Sequence, residues 1–391
     1  MTATHQRHCT STKRVLYLAF ELGWTEWKLA FKAERGQAPR LRGIGARDLV
    51  ALHKEIAKAK QRFGLAEETP VVSCYEAGRD GFWLTRYLAT QSIDNLVVDS
   101  SSIEVNRRQR RAKTDRLDAA KLVQLLVRHH EGEKVWSVVR VPSVADEDRR
   151  QLHRELEALK DERTEHVNRI KGLLASQGVA AEVDGKFGAL LVRLRLWDGQ
   201  PLASELQARL LREWERWRLL ERQIQDLENE RRKRIRRDET PRVEQVRHLL
   251  QLAGIGLNGS WLLVYELFGW RQIRNRRELA GLLGLTPTPF QSGPTAREQG
   301  ISKAGNRRRR RLMVELAWGW LRFQPDSALS QWYERRFGQG NRRLRKIGIV
   351  ALARKLVIAL WRYLETGEVP EGAAQVDWRP KVNGLARKKA G

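Results

Sequence analysis

The hydrophobic pattern of this chain changes its period near residue 135, and this change limits the possible folds more than any other feature. Up to that point short apolar strands alternate with amphipathic helices, which is typical of an α/β domain whose helices cover a sheet. "RVLYLAFELGWTEWKLAFK" predicts two strands joined as a hairpin around Gly23, and "PVVSCYEAG" and "NLVVDS" predict two more. Helices are predicted near residues 48–63 and 80–90 and within "TDRLDAAKL". Beyond residue 135 only helical periodicity remains, so an all-helical remainder is expected.

Two long helices are predicted directly after the α/β domain. Residues 146–176 and 201–236 carry apolar residues, mostly leucine, at alternating steps of three and four, with charged flanks. This pattern favours a long antiparallel helical hairpin or an intermolecular coiled coil, and a helical insertion packed on its own domain explains it equally well. The intervening segment "SQGVAAEVDGKFG" is expected to be a loop.

The predicted domain organisation follows from these segments. An α/β domain covers residues 14–138, a helical coiled-coil region covers 145–238, and an all-helical domain covers 241–366. In "LLQLAGIGLNGSWLLVYEL" two helices flank a Gly-Ile-Gly turn, which is either a plain turn or one whose amides hold a phosphate. Residues 1–13 form a tail, and 367–391 are basic and broken by glycine and proline, so they are expected to be disordered.

The chain is strongly basic, with 74 Lys+Arg against 47 Asp+Glu and a formal net charge of +27. Such an excess predicts a polyanionic partner. Nucleic acid fits better than a membrane, because no helix combines an uninterrupted basic face with an aromatic lipid-facing one. No apolar run reaches the ~18 residues of a membrane span. The start "MTATHQRHCT" is not typical of a signal peptide, and Cys9 and Cys74 form neither a disulfide framework nor a zinc knuckle. A soluble intracellular protein is therefore expected.

Four acidic residues in this basic chain fall where they could converge. Asp115 and Asp118 open the helix in "AKTDRLDAAKL" and lie on or beside its apolar face, where a carboxylate without a cation costs several kcal/mol. Glu21 and Glu76 end two predicted strands, at the sheet edge where α/β ligand sites gather. Each acid alone is better explained as a solvated carboxylate. For the set we favour a site for two Mg²⁺ ions about 4 Å apart, which stabilises both oxygens of a phosphoryl transfer.

A run of arginines opens a later helix after Asn306. Cations at a helix start oppose the dipole by about 0.3–1 kcal/mol each, so helix stability does not explain them and phosphate contact is predicted. The run and its predicted extension are Arg307, Arg308, Arg309, Arg310, Arg311, Lys303, Arg342, Arg343, Arg345 and Lys346. Four tryptophans at helical spacing are predicted to be core residues rather than base-stacking ones: Trp214, Trp217, Trp318 and Trp320.

Several motifs resemble one family when read in order over residues 14–365. They are the strand ending at Glu21, "YEAG", "KTDRLDAAKL", "LAGIG", "LAGLLGLTP", "QSG" and "GISKAGNRRRRRLMVELAW". In this arrangement the chain resembles the DEDD-type insertion-sequence transposases. The resemblance implies an RNase H-like (RuvC-like) amino-terminal domain, a coiled-coil region and a carboxy-terminal transposase domain. It also implies donor and target DNA, a homodimer or homotetramer, a non-coding bridge RNA as guide, and a prokaryotic cytoplasmic, nucleoid-associated location.

Ser292 in "FQSGPT" has two readings. Serine and glycine after proline are ordinary turn composition, and no G-x-S-x-G elbow surrounds the residue. The resemblance implies instead that Ser292 attacks a DNA phosphodiester and holds a covalent phosphoserine link, while the metal-bound carboxylates come from the other domain. One residue departs from the family: its first acid is an aspartate, and here it is Glu21. The extra methylene moves the carboxylate by ~1.5 Å, and displacement on that scale can change rates ~100-fold.

The predicted function is Mg²⁺-dependent DNA cleavage and strand exchange by an insertion-sequence transposase, through a serine–DNA intermediate and with a bridge RNA. Glu21, Glu76, Asp115 and Asp118 are the predicted metal ligands, and Ser292 is the predicted nucleophile. Three alternatives remain open: a site-specific DNA invertase that needs no RNA, a nucleic-acid-binding protein that has lost cleavage, and a junction resolvase that uses the four acids and gives Ser292 no role.

Overall fold

The computed structural model describes residues 14–103, 115–292, 295–303 and 305–383 of the chain. Within these ranges the side chains of residues 101, 115, 116 and 289–299 are outside the description. The chain divides into two compact units, Met1–Val141 and Pro142–Gly391.

The first unit is built on a five-stranded mixed sheet. Its strands are β1 (Leu16–Leu22), β2 (Glu26–Lys32), β3 (Arg40–Gly45), β4 (Val71–Glu76) and β5 (Asp94–Val98), in the order β3-β2-β1-β4-β5. β1, β2 and β3 pair antiparallel, and β4 and β5 run parallel to β1. The predicted hairpin and the two later strands are confirmed, and the arrangement is consistent with an RNase H-like α/β domain. β3 was not predicted, because the sequence "RLRGIG" has no apolar alternation.

Helices cover both faces of this sheet. α1 (Leu49–Arg62) begins at Asp48, whose carboxylate accepts from the Ala51 amide at 2.8 Å, and α2 is Trp83–Thr90. Both pack on the face that contains Phe20 and Trp27. α3 (Asp115–His130) packs on the opposite face through Ala119, Leu122, Val123 and Leu126. The three predicted helices are therefore confirmed, and Cys74 is buried in β4. Cys9, like the rest of residues 1–13, lies outside the described residues.

The second unit begins with a helical hairpin. After α4 (Val144–Asp148), the two long helices are α5 (Gln151–Ala175) and α7 (Ser204–Arg237), and the short α6 (Phe187–Arg193) lies in the connection that was predicted to be a loop. Ion pairs between α5 and α7 show that the helices are antiparallel. They join His166 to Glu213, Arg163 to Glu221 and Lys160 to Glu228, at 2.6, 2.9 and 2.6 Å. Of the predicted alternatives, the structure contains the antiparallel hairpin within one chain.

The remaining helices form a second, larger core. They are α8 (Pro241–Gln251), α9 (Leu257–Leu262), α10 (Arg276–Leu282), α11 (Arg307–Phe323), α12 (Ala328–Tyr333), α13 (Arg342–Thr366) and α14 (Arg379–Asn383), with π-helical turns at Leu263–Phe268 and Glu334–Gly338. Trp320 is fully buried in this core and Trp214 is buried in the hairpin, as predicted. Trp318 is 50% exposed, so the core prediction was wrong there. In the part of the chain that the structure describes, no helix is long and apolar enough to cross a membrane.

A β-hairpin interrupts the helices of the second unit, so the prediction of an all-helical remainder was wrong. β6 (Pro287–Ser292) and β7 (Thr295–Ile301) pair antiparallel. Pro287 and Pro289 alternate with Thr288 in "TPTPF". Each proline lacks an amide donor and clashes with a preceding helical carbonyl, so this segment cannot continue a helix.

The segment after α13 is ordered up to residue 383, contrary to the predicted disorder. Val382 is fully buried, and the Lys381 ammonium donates to the carbonyl oxygens of Leu250, Leu252 and Ile255 at 2.6, 2.9 and 3.0 Å. The segment therefore fixes the turn at Gly254, whose φ is +81°. Its burial of a few apolar side chains outweighs the local glycine and proline content. Residues 384–391 lie outside the described residues.

Candidate active site

Glu21 and Glu76 lie side by side at one edge of the sheet. The parallel register pairs Phe20 with Tyr75, so the next position on each strand holds one of the two acids. Side chains alternate between faces along a strand, and the two glutamates therefore share the face of Ala19 and Cys74. Both are half-buried. This face is the one that α3 covers, so the structure brings the two predicted glutamates to the same place.

The direction of α3 brings the two aspartates to that same edge. The hydroxyl of Tyr17, at the start of β1, lies 3.0 Å from Nδ1 of His130, the last residue of α3. Because these opposite ends meet, α3 runs antiparallel to β1. Asp118 lies ~18 Å back along the helix and Glu21 ~13 Å along the strand, from rises of ~1.5 and ~3.3 Å per residue. The first turn of α3 therefore reaches the edge that holds Glu21 and Glu76.

The two aspartates differ in how fully the structure describes them. Asp118 is half-buried and lies one turn before the buried Leu122. The backbone of Asp115 begins α3, and its side chain lies outside the described residues, as does Thr114, the predicted helix cap. By these rises, the segment that carries Asp115 and Asp118 starts near the edge that holds Glu21 and Glu76, on the face that α3 covers.

The donor set has the chemistry of a magnesium site, since carboxylate oxygens are the ligands that Mg²⁺ prefers. Among the described side chains, which exclude that of Asp115, no group of three or more His, Cys, Asp or Glu residues is arranged to hold a metal ion. Sequence reasoning also missed a cation at this edge. Lys28 is the cross-strand neighbour of Glu21, and its ammonium donates to Glu26. Its charge is therefore balanced by Glu26 of β2, an acid outside the predicted metal-ligand set.

Ser292 occupies the end of β6, opposite Thr295 in the hairpin register. Its side chain lies outside the described residues, as do Gly293 and Pro294. The backbone nevertheless places this serine at the turn end of a β-hairpin, rather than inside a helix.

A cationic cleft of about 1230 Å³ lies beside the base of the same hairpin. Pro287 and Ile301, which pair where β6 starts and β7 ends, line it together with apolar residues of α13 such as Ile347. Its wall carries the cations Arg276, Arg277, Arg342, Arg343, Lys346, Arg354 and Lys355. No Asp or Glu is among its lining residues. An apolar floor with a purely cationic wall is suited to a nucleic-acid strand.

Only part of this cleft was predicted from the sequence. Arg342, Arg343 and Lys346 were among the predicted phosphate contacts. Arg354 and Lys355 were missed, although Arg354 follows the predicted Arg343 by eleven residues, about three helical turns, and so shares its side of α13. Arg276 and Arg277, at the start of α10, were also missed, and only the fold brings them to α13.

The arginine run at the start of α11 is divided between surface and interior. Asn306 caps the helix by accepting from the Arg309 amide at 3.1 Å, and Arg307 is exposed. Arg308 pairs with Glu157 at 2.5 Å and Arg311 with Glu315 at 2.8 Å. Two other arginines donate to backbone carbonyls: Arg310 to that of Lys303 and Arg345 to that of Gly338, each at 3.0 Å. Lys303 itself is exposed.

Arg309 is 7% exposed, so the prediction of phosphate contact is wrong for this residue. It faces a buried carboxylate, Glu266, at 4.0 Å. Glu266 also accepts two hydrogen bonds from Arg154, at 2.7 and 3.1 Å, and lies 4.0 Å from Arg150. Burial by itself raises the pKa of Glu266, but the Arg154 hydrogen bonds and the neighbouring guanidiniums outweigh it and hold the pKa below its ordinary value. This cluster joins α5, α11 and the π-helical turn.

Comparison with known proteins gives two informative matches. A family model described as the transposase IS116/IS110/IS902 family matches residues 246–334, which include Ser292 and the arginine run. A putative transposase, y4rJ, from Sinorhizobium fredii is 40% identical over 375 residues, which cover 92% of this chain and 94% of that relative. This chain belongs to the IS116/IS110/IS902 transposase family. It is therefore a transposase of an insertion-sequence family, and its substrate is DNA.

Two other relatives of this transposase match a smaller share of the chain. The transposase for insertion sequence element IS1328 of Yersinia enterocolitica is 28% identical over 221 residues, which cover 56% of this chain and 63% of the relative. A probable family 20 transposase of Pseudomonas aeruginosa is 30% identical over 231 residues, which cover 58% of this chain and 66% of the relative.

Proposed function

We propose that this transposase cuts and rejoins DNA by Mg²⁺-dependent phosphoryl transfer through a covalent link to Ser292. Glu21, Glu76, Asp115 and Asp118 are the proposed metal ligands. The observation that supports this most strongly is the shared edge and face of the two register-paired glutamates and the first turn of α3. Nothing in the packing of a sheet requires acids from three separate segments to meet at one edge.

In the proposed reaction the Ser292 hydroxyl attacks a DNA phosphorus atom and the phosphodiester bond to one deoxyribose oxygen breaks. The serine proton is released to solvent, and the leaving deoxyribose oxygen takes one up. The products are a phosphoserine ester and a free DNA hydroxyl. Attack by a hydroxyl of the second DNA reverses the step and releases the serine, so the number of phosphodiesters is conserved. Bound Mg²⁺ supplies charge neutralisation at the attacking and leaving oxygens.

The cationic cleft supports the placement of DNA beside the β6–β7 hairpin that carries Ser292. Its seven cations neutralise phosphates. Pro287, which lines the cleft at the base of the hairpin, is one strand length, ~17 Å, from Ser292. The proposal also includes a guide RNA and a homodimer or homotetramer. Both the guide RNA and the oligomer rest on the motif resemblance, and the charge excess of +27 supports a nucleic-acid partner of either kind.

The test is capture of the covalent adduct on a denaturing gel, using labelled DNA from the ends of the element and the full-length protein with Mg²⁺. We expect a labelled protein band that Ser292→Ala and Asp118→Asn abolish while DNA binding is retained. The matched controls are Ser302→Ala, an exposed serine after β7, and Asp94→Asn, an exposed acid at the opposite edge of the sheet. Both should keep the band.

Other outcomes of this experiment select the alternatives. Cleavage without an adduct identifies a junction resolvase. Equal DNA binding by all four variants, with neither cleavage nor an adduct, identifies a binding protein that has lost cleavage. Adduct formation by protein from which RNA has been removed identifies an RNA-independent invertase.

A further inference from the structure

An exposed tryptophan lies directly beyond the sheet edge that holds Glu21 and Glu76, here called the carboxylate edge. Trp24 is in the turn between β1 and β2, three residues after Glu21, and is 66% exposed. A single exposed apolar side chain is ordinary. Trp24 differs because the guanidinium carbons of Arg47 and Arg79 each lie 5.0 Å from the centre of its ring. Trp270 also has two such neighbours, but it is buried.

A buried carboxylate holds the two arginines in place. Asp80, with a side chain that is 7% exposed, accepts from Arg79 at 2.9 Å and from Arg47 at 3.5 Å. Arg79 also donates to the Leu22 carbonyl at 3.4 Å. Even so, 45% of the Arg47 side chain and 51% of that of Arg79 remain exposed. The guanidiniums are therefore oriented from one side and open to solvent on the other.

The backbone at Arg47 supports a positioned rather than an incidental contact. Its φ is +65°, in the left-handed region that residues other than glycine rarely occupy. Such a conformation persists only where its surroundings impose it, and it is concentrated at functional sites. Here it sets the arginine beside the indole ring.

The three residues are placed to meet a strand that reaches the carboxylates. Trp24 follows Glu21 by three positions, and Arg79 follows Glu76 by three. An indole presents a π-face on which any base can stack, and a guanidinium contacts phosphate. Bases in a duplex have both faces covered, so an unpaired nucleotide fits this group best.

We propose that Trp24, Arg47 and Arg79 bind one unpaired nucleotide of the DNA strand at the carboxylate edge. The indole stacks on the base, and the guanidiniums contact a flanking phosphate. This inference rests on the proposed function for the identity of the strand. The binding itself is independent of sequence, because stacking and phosphate contact do not read base edges.

The test measures binding separately from chemistry. Full-length protein carrying Asp118→Asn is titrated against a fluorescein-labelled single-stranded oligodeoxyadenylate and against a duplex of the same length, and fluorescence anisotropy is recorded. We expect Trp24→Ala to weaken single-strand binding about tenfold and duplex binding less than twofold, and Trp24→Phe to restore most of the loss. Arg79→Gln should weaken binding and lower its salt dependence by about one phosphate contact. Trp197→Ala, which removes an 86% exposed tryptophan of the second unit, is the control and should have no effect.

A second measurement locates the contact. Single-stranded DNA with 5-iododeoxyuridine is photocrosslinked to the same protein, and a crosslinked peptide containing Trp24 is expected by mass spectrometry. Unchanged single-strand affinity of Trp24→Ala, with a native circular dichroism spectrum, overturns the inference. Preference for an oligoriboadenylate over the deoxy probe that depends on Trp24 overturns the assignment to DNA. A normal Trp24 effect in a protein that forms no Ser292 adduct refutes the proposed reaction and leaves the binding site standing.

Discussion

Replacement of Glu266 by glutamine should destabilise the second unit, because it removes a charge on which three elements converge. The Glu266 side chain is 3% exposed, and its partners are Arg154 at 2.7 Å, Arg150 at 4.0 Å and Arg309 at 4.0 Å. Removing one member of a buried ion pair costs about 3–5 kcal/mol, since the remaining charges stay buried and unpaired. Glutamine keeps one acceptor for Arg154. We therefore expect the free energy of unfolding to fall by an amount near the lower end of this range, about 3 kcal/mol.

The lowered pKa of Glu266 determines how this destabilisation depends on pH. The folded-state pKa of Glu266 lies below its ordinary value of 4.5, so the carboxylate contributes stability above that pH. The contribution is lost as the pH falls through the folded-state pKa. The difference in the free energy of unfolding between the native protein and Glu266→Gln should therefore be full at neutral pH and should become smaller below pH 4.5.

The assay is urea unfolding of the full-length protein, followed by far-ultraviolet circular dichroism, which the long helices of the second unit dominate. The midpoint should fall without a change in slope. The matched control is Glu315→Gln, which removes the 57% exposed partner of Arg311 and should leave the midpoint unchanged. A midpoint for Glu266→Gln within error of the native value at neutral pH would refute the reasoning.

Three further predictions concern the other sites. Combined Arg354→Gln and Lys355→Gln should weaken binding of duplex DNA and reduce the slope of log affinity against log salt by about two, measured by anisotropy, because two phosphate contacts are lost. Lys381→Met should lower the free energy of unfolding by about 3 kcal/mol in urea titrations, since buried carbonyl oxygens lose their donor. Glu21→Asp should retain or increase the Ser292 adduct on denaturing gels, whereas Glu21→Gln should abolish it; equal adduct from both would remove Glu21 from the metal site.

The sequence was most informative where local pattern and packing agree. Alternating apolar residues predicted β1 and β2, and the position of Glu21 and Glu76 at strand ends predicted their shared edge before the register was known. Asp115 and Asp118 were singled out because acids on the apolar face of α3 conflict with burial. The leucine spacing of α5 and α7 predicted two long helices but not whether they pair within one chain.

Non-local contacts explain what the sequence did not predict. Arg309 resembles its surface neighbours in the run, and only the distant Glu266 makes its burial tolerable. The ordering of Lys381 depends on carbonyls more than a hundred residues earlier in the chain.

The sequence by itself determined the periodicity of each segment, the charge that calls for a polyanion, and the acids and serine available for chemistry, because these are properties of residue types and their spacing. Tertiary structure alone decided which arginines reach solvent, that α10 and α13 share one cationic cleft, and that Arg47 and Arg79 flank Trp24. The physical reason is that burial and charge pairing depend on which distant segments meet, and spacing along the chain carries no record of that.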